Sequence, residues 1–156
     1  MPHRASFCSA LFAAMVLTPA SVSAQDAREA GQLAIVETYF EHLNRVFSTE
    51  SSETAIDGLL ALTTPDVRYV HTIHSADFDR ETWRAGMMRQ LEAGSYNSSP
   101  DSCTHISNHI PGNGYIAVEY SYGELEDGVC ETGSAQKNLA IFQLRDGLIA
   151  RVEELW

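Results

Sequence analysis

Histidine and tyrosine are the side chains through which this chain could move protons. Val67, Tyr69, His71 and Ile73 alternate along one run, so in a strand all four share a face. A histidine among apolar neighbours is partly desolvated. That disfavours the imidazolium and leaves a neutral imidazole, which is a competent general base. The same residue also reads as a core histidine hydrogen-bonded to a neighbour. His105, in Thr104-His105-Ile106-Ser107-Asn108, is a second candidate for acid–base work. Alternation sets it with Cys103, Ser107 and His109, opposite a face of Thr104, Ile106, Asn108 and Ile110, so it looks either into a cavity or out to solvent. A one-residue bulge would swap the faces. Tyr39 can donate a hydrogen bond to a developing oxyanion or be a buried tyrosine with a satisfied hydroxyl. No metal site is expected. His71 and His74 are three apart on a strand and point to opposite faces, and His105 and His109 are separated by roughly 13 Å of extended chain. No serine-hydrolase elbow, phosphate loop or Cys-x-x-Cys pair occurs, which argues against the common serine hydrolases and nucleotide enzymes; no cofactor is expected.

These residues need a scaffold, and the pattern supplies one. Asp26 to Phe47 is predicted as a helix, with one stripe of Leu33, Val36, Phe40, Leu43 and Phe47 and a second of Ile35, Tyr39, His42 and Val46. So wide an apolar arc packs on two sides. Thr54 to Leu62 is a short helix ended by Thr63-Thr64-Pro65-Asp66. The strand Val67–Ile73 follows. Asp79 then caps a third helix bearing Trp83, Met87 and Leu91, which ends at Gly94. After a loop, Cys103–Ile110, Tyr115–Leu125, Thr132–Leu144 and Leu148–Trp156 read as strands joined by glycine-containing turns. That is an antiparallel meander, and helices segregated from such a sheet make an α+β domain.

This element order resembles the nuclear transport factor 2-like superfamily, which includes SnoaL-like cyclases and ketosteroid isomerases. Val36-Glu37-Thr38-Tyr39-Phe40-Glu41-His42-Leu43-Asn44 is similar to the first helix of the isomerases, and Pro65-Asp66-Val67-Arg68-Tyr69-Val70-His71 to the turn into the first strand. Thr104 to Asn108 resembles the strand that carries a catalytic histidine in scytalone dehydratase and bile-acid dehydratases. Phe142 to Ile149 is similar to the last hairpin. The resemblance implies a cone: three helices on a strongly curved, mostly antiparallel sheet around a pocket. It places Tyr39 at an oxyanion-binding position, His71 at the general-base position and His105 at the second catalytic position. Tyr69 and Tyr120 read as cavity lining, Trp83, Met87 and Trp156 as core or pocket wall, and Asn108, Asn138 and Phe142 as further substrate contacts. Tyr122 reads as further lining. The resemblance departs at Ala140, which falls where the isomerases keep a protonated aspartate and which can donate nothing. Steroid isomerisation is therefore not carried over.

Residues 1–24 read as a cleaved secretory signal, with Arg4, the apolar run Ala10–Leu17, and Val22-Ser23-Ala24 before the cut. An uncleaved anchor is the other reading, although the run is far short of the roughly 20 residues that span a bilayer. Cleavage leaves one domain, residues 25–156, secreted or periplasmic. Without Arg4 it holds 9 basic residues (10 minus 1) against 21 acidic, a net charge near −12. So acidic a surface disfavours nucleic acid as a partner, and no later segment suits a membrane. Cys103 and Cys130 form an even pair in an exported chain and suggest a disulfide; two buried free thiols are the alternative. Three functions follow. One is a cofactor-independent acid–base enzyme of dehydratase, isomerase or cyclase type acting on a small apolar molecule. The others are a ligand-binding module without chemistry and a dimerising interaction domain, since a homodimer is common among similar domains.

Overall fold

The computed structural model describes residues 23–156. The signal-peptide reading therefore lies outside the described residues, apart from Ser23 and Ala24. Helix α1 (Ala24–Phe47) starts at a capping box in which the Ser23 hydroxyl accepts from the Asp26 amide at 3.1 Å. Val36, Tyr39, Phe40, Leu43 and Val46 are buried, so the two stripes merge into one broad packing surface. Helix α2 (Glu53–Ala61) is capped by Ser52 and buries Ile56, Leu59 and Leu60. Helix α3 (Arg80–Glu92) is capped by Asp79 and buries Trp83 and Met87. Arg84 ties α3 to α2, donating to Asp57 at 2.8 Å and Glu53 at 2.7 Å.

The strands are β1 (Thr63–His71), β2 (Ala76–Asp79), β3 (Ser102–Pro111), β4 (Tyr115–Glu126), β5 (Val129–Glu131), β6 (Asn138–Arg145) and β7 (Leu148–Glu154). They form one sheet in the order β2-β1-β7-β6-β4-β3, with β5 on the free part of β4. From β3 through β4 and β6 to β7 the pairing is antiparallel, as the turn signals predict. The parallel pairing of β1 with β7 was not visible in the pattern; it joins the first strand to the last and makes a mostly antiparallel sheet. The core lies between this sheet and the helices, around Phe40, Tyr120, Phe142 and Val152. The architecture is the α+β cone that the sequence implies.

Three local expectations are corrected. β1 begins at Thr63, because Thr63 and Thr64 are buried and Pro65 falls within a register shift against β7, where its missing N–H breaks no ladder. The chain turns after His71, with Ser75 at φ 49°, and returns as β2. Ile73 is thus 67% exposed on the turn rather than inward. Thr132 to Lys137 is not strand: Gly133 sits at φ 51°, and the Ala135 amide donates to the Thr132 carbonyl at 2.9 Å, separating the short β5 from β6. Cys103 and Cys130 form a disulfide that pins β5 to β3, with Cα atoms 5.9 Å apart.

Candidate functional site

Adjacent strands bring His71 and Glu154 together. They are register partners across β1 and β7, so their side chains leave the sheet on one face. Alternation from Val152, which is buried in the core, sends Glu154 to that same inner face. Both are buried, His71 at 7% exposure and Glu154 at 3%. The His71 Nε2 to Glu154 Oε2 distance is 3.7 Å. The carboxylate is gripped from two sides: Tyr69 donates to Oε2 at 2.5 Å and Tyr120 to Oε1 at 3.3 Å. The Trp156 indole donates to the Tyr120 hydroxyl at 2.7 Å, so the end of the chain is tied into the same network.

A cavity of about 110 Å³ opens onto this pair. Leu43 and Phe47 of α1 and Trp83 and Met87 of α3 form one side. Tyr69 and His71 of β1, Tyr122 of β4, Glu154 of β7 and Trp156 form the other. Trp83 stacks on Tyr69 with ring centroids 4.7 Å apart, and Trp156 meets His71 edge-on at 4.8 Å. His71 Nδ1 is buried without a hydrogen-bond partner among the described residues.

Burial pushes the Glu154 carboxyl above its usual range, opposed by the Tyr69 hydrogen bond and the His71 charge. Burial, then the charge of Glu154, raises the tyrosine hydroxyls: Tyr69 and Tyr120 strongly, and Tyr122 up to about 12. All three therefore stay protonated near neutrality and remain donors. The arrangement can hold a proton on either oxygen of a desolvated carboxylate or pass it to an imidazole beside it.

The structure brings together six of the residues named from sequence: Tyr69, His71, Trp83, Met87, Tyr122 and Trp156. Tyr120 joins through its hydroxyl while its ring is buried in the core. The others stand elsewhere. Tyr39 and Phe142 pack on each other in the core at 5.1 Å, and the Tyr39 hydroxyl is buried and unpartnered. Asn138 is buried at the start of β6, opposite Tyr120. A bulge does interrupt β3, between Ile106 and Asn108, but it comes after His105. His105 pairs with Ser121 on the outer face and is exposed, lining a separate open cleft with Glu37 and Glu41. Beyond the bulge the faces swap. Asn108 pairs with Glu119, outward, so it does not share the face of Thr104 and Ile106 as simple alternation requires. The expectation that His71 and His74 point apart also fails, because the turn brings their rings to 4.4 Å.

Sequence reasoning missed Glu154. A glutamate beside another glutamate near the end of the chain looks solvated; the signal that finds it is its two-residue spacing from Val152. Glu154 is also the register partner of Ala140 across β6 and β7. A carboxyl therefore does stand on the face where Ala140 leaves none, one strand over. A larger open groove, about 440 Å³, runs past Asn44, Arg45, Thr104 and the disulfide; no carboxylate or imidazole is buried in its wall.

No protein-family model matches the sequence, and no curated protein matches it significantly. Solved structures do match. A candidate ketosteroid isomerase from Kribbella flavida aligns at 18% identity over 82% of this chain and 78% of its own, with a TM-score of 0.53. A candidate isomerase of the SnoaL-like family from Agrobacterium tumefaciens aligns at 12% identity over 80% and 96%, with a TM-score of 0.53. A Catenulispora acidiphila protein with a ketosteroid isomerase-like fold, solved with trimethylamine, aligns at 17% identity over 78% and 84%, with a TM-score of 0.52. At these identities the likeness is one of fold.

Proposed function

Because the chain has the nuclear transport factor 2-like fold shared with SnoaL-like and ketosteroid isomerase-like proteins, we propose that its enclosed cavity is the working site of a cofactor-independent acid–base enzyme. The substrate is a small, largely apolar molecule, and the reaction a proton abstraction leading to elimination, isomerisation or ring closure. One observation carries this reading: a buried carboxylate, held by two tyrosine hydroxyls, stands 3.7 Å from a buried imidazole at the wall of a cavity. In the proposed mechanism His71 takes the proton, and Glu154 stabilises the imidazolium that forms. Tyr69 and Tyr120 fix the carboxylate. His105 and Tyr39 are left out, since neither reaches the cavity.

The test is turnover of a panel of compact carbonyl compounds and alcohols, followed by NMR. His71→Ala should slow the reaction by about 10² to 10⁴. A variant that works at the wild-type rate would sink the assignment.

A second reading is a ligand-binding module without chemistry. The largely aromatic lining of the cavity, Phe47, Tyr69, Trp83, Tyr122 and Trp156, favours it, since such walls hold a ligand by contact alone. It expects ligand-induced stabilisation, no turnover, and His71→Ala altering affinity alone. In either case the disulfide supports work outside the cytoplasm after loss of the signal, in a periplasm or beyond the cell. Exposed Ile110, Tyr115 and Leu139 on the outer sheet face support a homodimer; light scattering across a dilution series tests it, and a monomer at every concentration would contradict it.

A further inference from the structure

We infer that the molecule this cavity accepts carries a positive charge, as a small alkylammonium group seated among aromatic rings and neutralised by Glu154. The inference rests on the cavity being a ligand site and adds the charge and size of the ligand.

The charge balance of the site comes first. Glu154 is 3% exposed, and among the described residues its one ion-pair partner is His71, which is charged only when protonated. No lysine or arginine lines the cavity. A buried carboxylate without a permanent countercharge is costly, and a cationic ligand would supply the missing charge. The walls have the matching chemistry. Tyr69, Trp83, Tyr122 and Trp156 surround the space together with Phe47, and the faces of such rings attract ammonium groups within about 6 Å; cages of this kind recognise methylated ammonium ions. Size then limits the ligand. A volume of about 110 Å³, well below the roughly 300–1,000 Å³ of sites for drug-sized ligands, suits a group as small as a trimethylammonium head group. The net charge of −11 on the whole chain also draws cations toward the surface. A bound ammonium would keep Glu154 ionised, but it would stand as a like charge beside an imidazolium on His71, so the inference goes with the cavity as a binding site and not with His71 as the base.

The chain has two tryptophans, and both, Trp83 and Trp156, are in the cavity wall. Their indole NMR signals therefore report on the site alone. The experiment titrates the full domain with trimethylammonium chloride and separately with tert-butanol, which has a similar shape and no charge, at ionic strength held constant with sodium chloride. Trimethylammonium should shift both indole signals saturably, with an affinity at least about tenfold above that of tert-butanol. Glu154→Gln should bring the two affinities within about twofold of one another, the charge that discriminates them being gone. Tyr122→Leu, which leaves the carboxylate in place, should weaken trimethylammonium more than tert-butanol. Equal affinities in the wild type would overturn the cationic ligand while leaving a ligand-binding cavity. A preference that survives Glu154→Gln would overturn the role of the carboxylate. No saturable shift with either probe would overturn the inference and also weaken the reading on which it rests.

Discussion

Glu154 carries a carboxylate into a place where water cannot solvate it, and the tyrosines around it keep it there. Its ionised form is disfavoured by burial, so its pKa is raised in the folded protein. The consequence for stability has a definite sign. A raised folded pKa contributes stability that is fully present below the ordinary glutamate value, about 4.3, and is lost as pH rises through the folded value. Glu154→Gln removes that dependence. The Tm of the variant minus that of wild type should therefore grow as pH climbs from about 4 toward neutrality. A difference that stays flat would show that Glu154 is solvated. Much of this site was legible at the residue scale. His71, Tyr69, Trp83 and Met87 could be named because each stands at strand or helix spacing among apolar partners. Glu154 could not, because it stands beside a second glutamate, Glu153, and its buried neighbours, His71 and Ala140, are on other strands.

At the scale of elements, periodicity located all three helices to within two residues at either end, because caps and stripes are local signals. Strand faces were harder. The bulge at Ser107 depends on how β3 meets β4, and nothing in the sequence of β3 alone places it before or after His105. β2 and β5 were missed for a related reason: four and three residues are too few for alternation to register. β5 also explains a glycine. A Cβ at Gly123 would lie 2.9 Å from the Glu131 carbonyl carbon and overlap the carbonyl oxygen outright. Gly123→Ala should therefore displace β5 from β4 and lower unfolding stability by about 1–3 kcal/mol, as overpacking does. Denaturant unfolding measures this; a variant as stable as wild type would show that β5 moves aside freely.

For the molecule as a whole, the sheet closes its topology by setting β1 parallel to β7, and this one pairing builds the site by placing His71 beside Glu154. No local pattern announces a pairing between segments so far apart, although the overall α+β architecture followed from the order of the elements. The disulfide acts at this scale too. It joins residues 27 apart, a loop whose closure is worth about 3.5 kcal/mol in the chain-entropy model. Reduction should lower the Tm by roughly 10 °C or more. Calorimetry with and without reductant checks this, and an unchanged transition would mean that β5 adds nothing to the cooperative unit.

The central claim is that His71 and Glu154 form one desolvated pair at the cavity. The most direct measurement is the titration of Glu154 by NMR of protein carrying ¹³C-labelled glutamate, assigned with Glu154→Gln and repeated in His71→Ala. The account expects Glu154 to titrate above the ordinary glutamate range and to move higher still when His71 is removed, because the His71 charge favours the ionised carboxylate. An ordinary value, indifferent to His71→Ala, would contradict it.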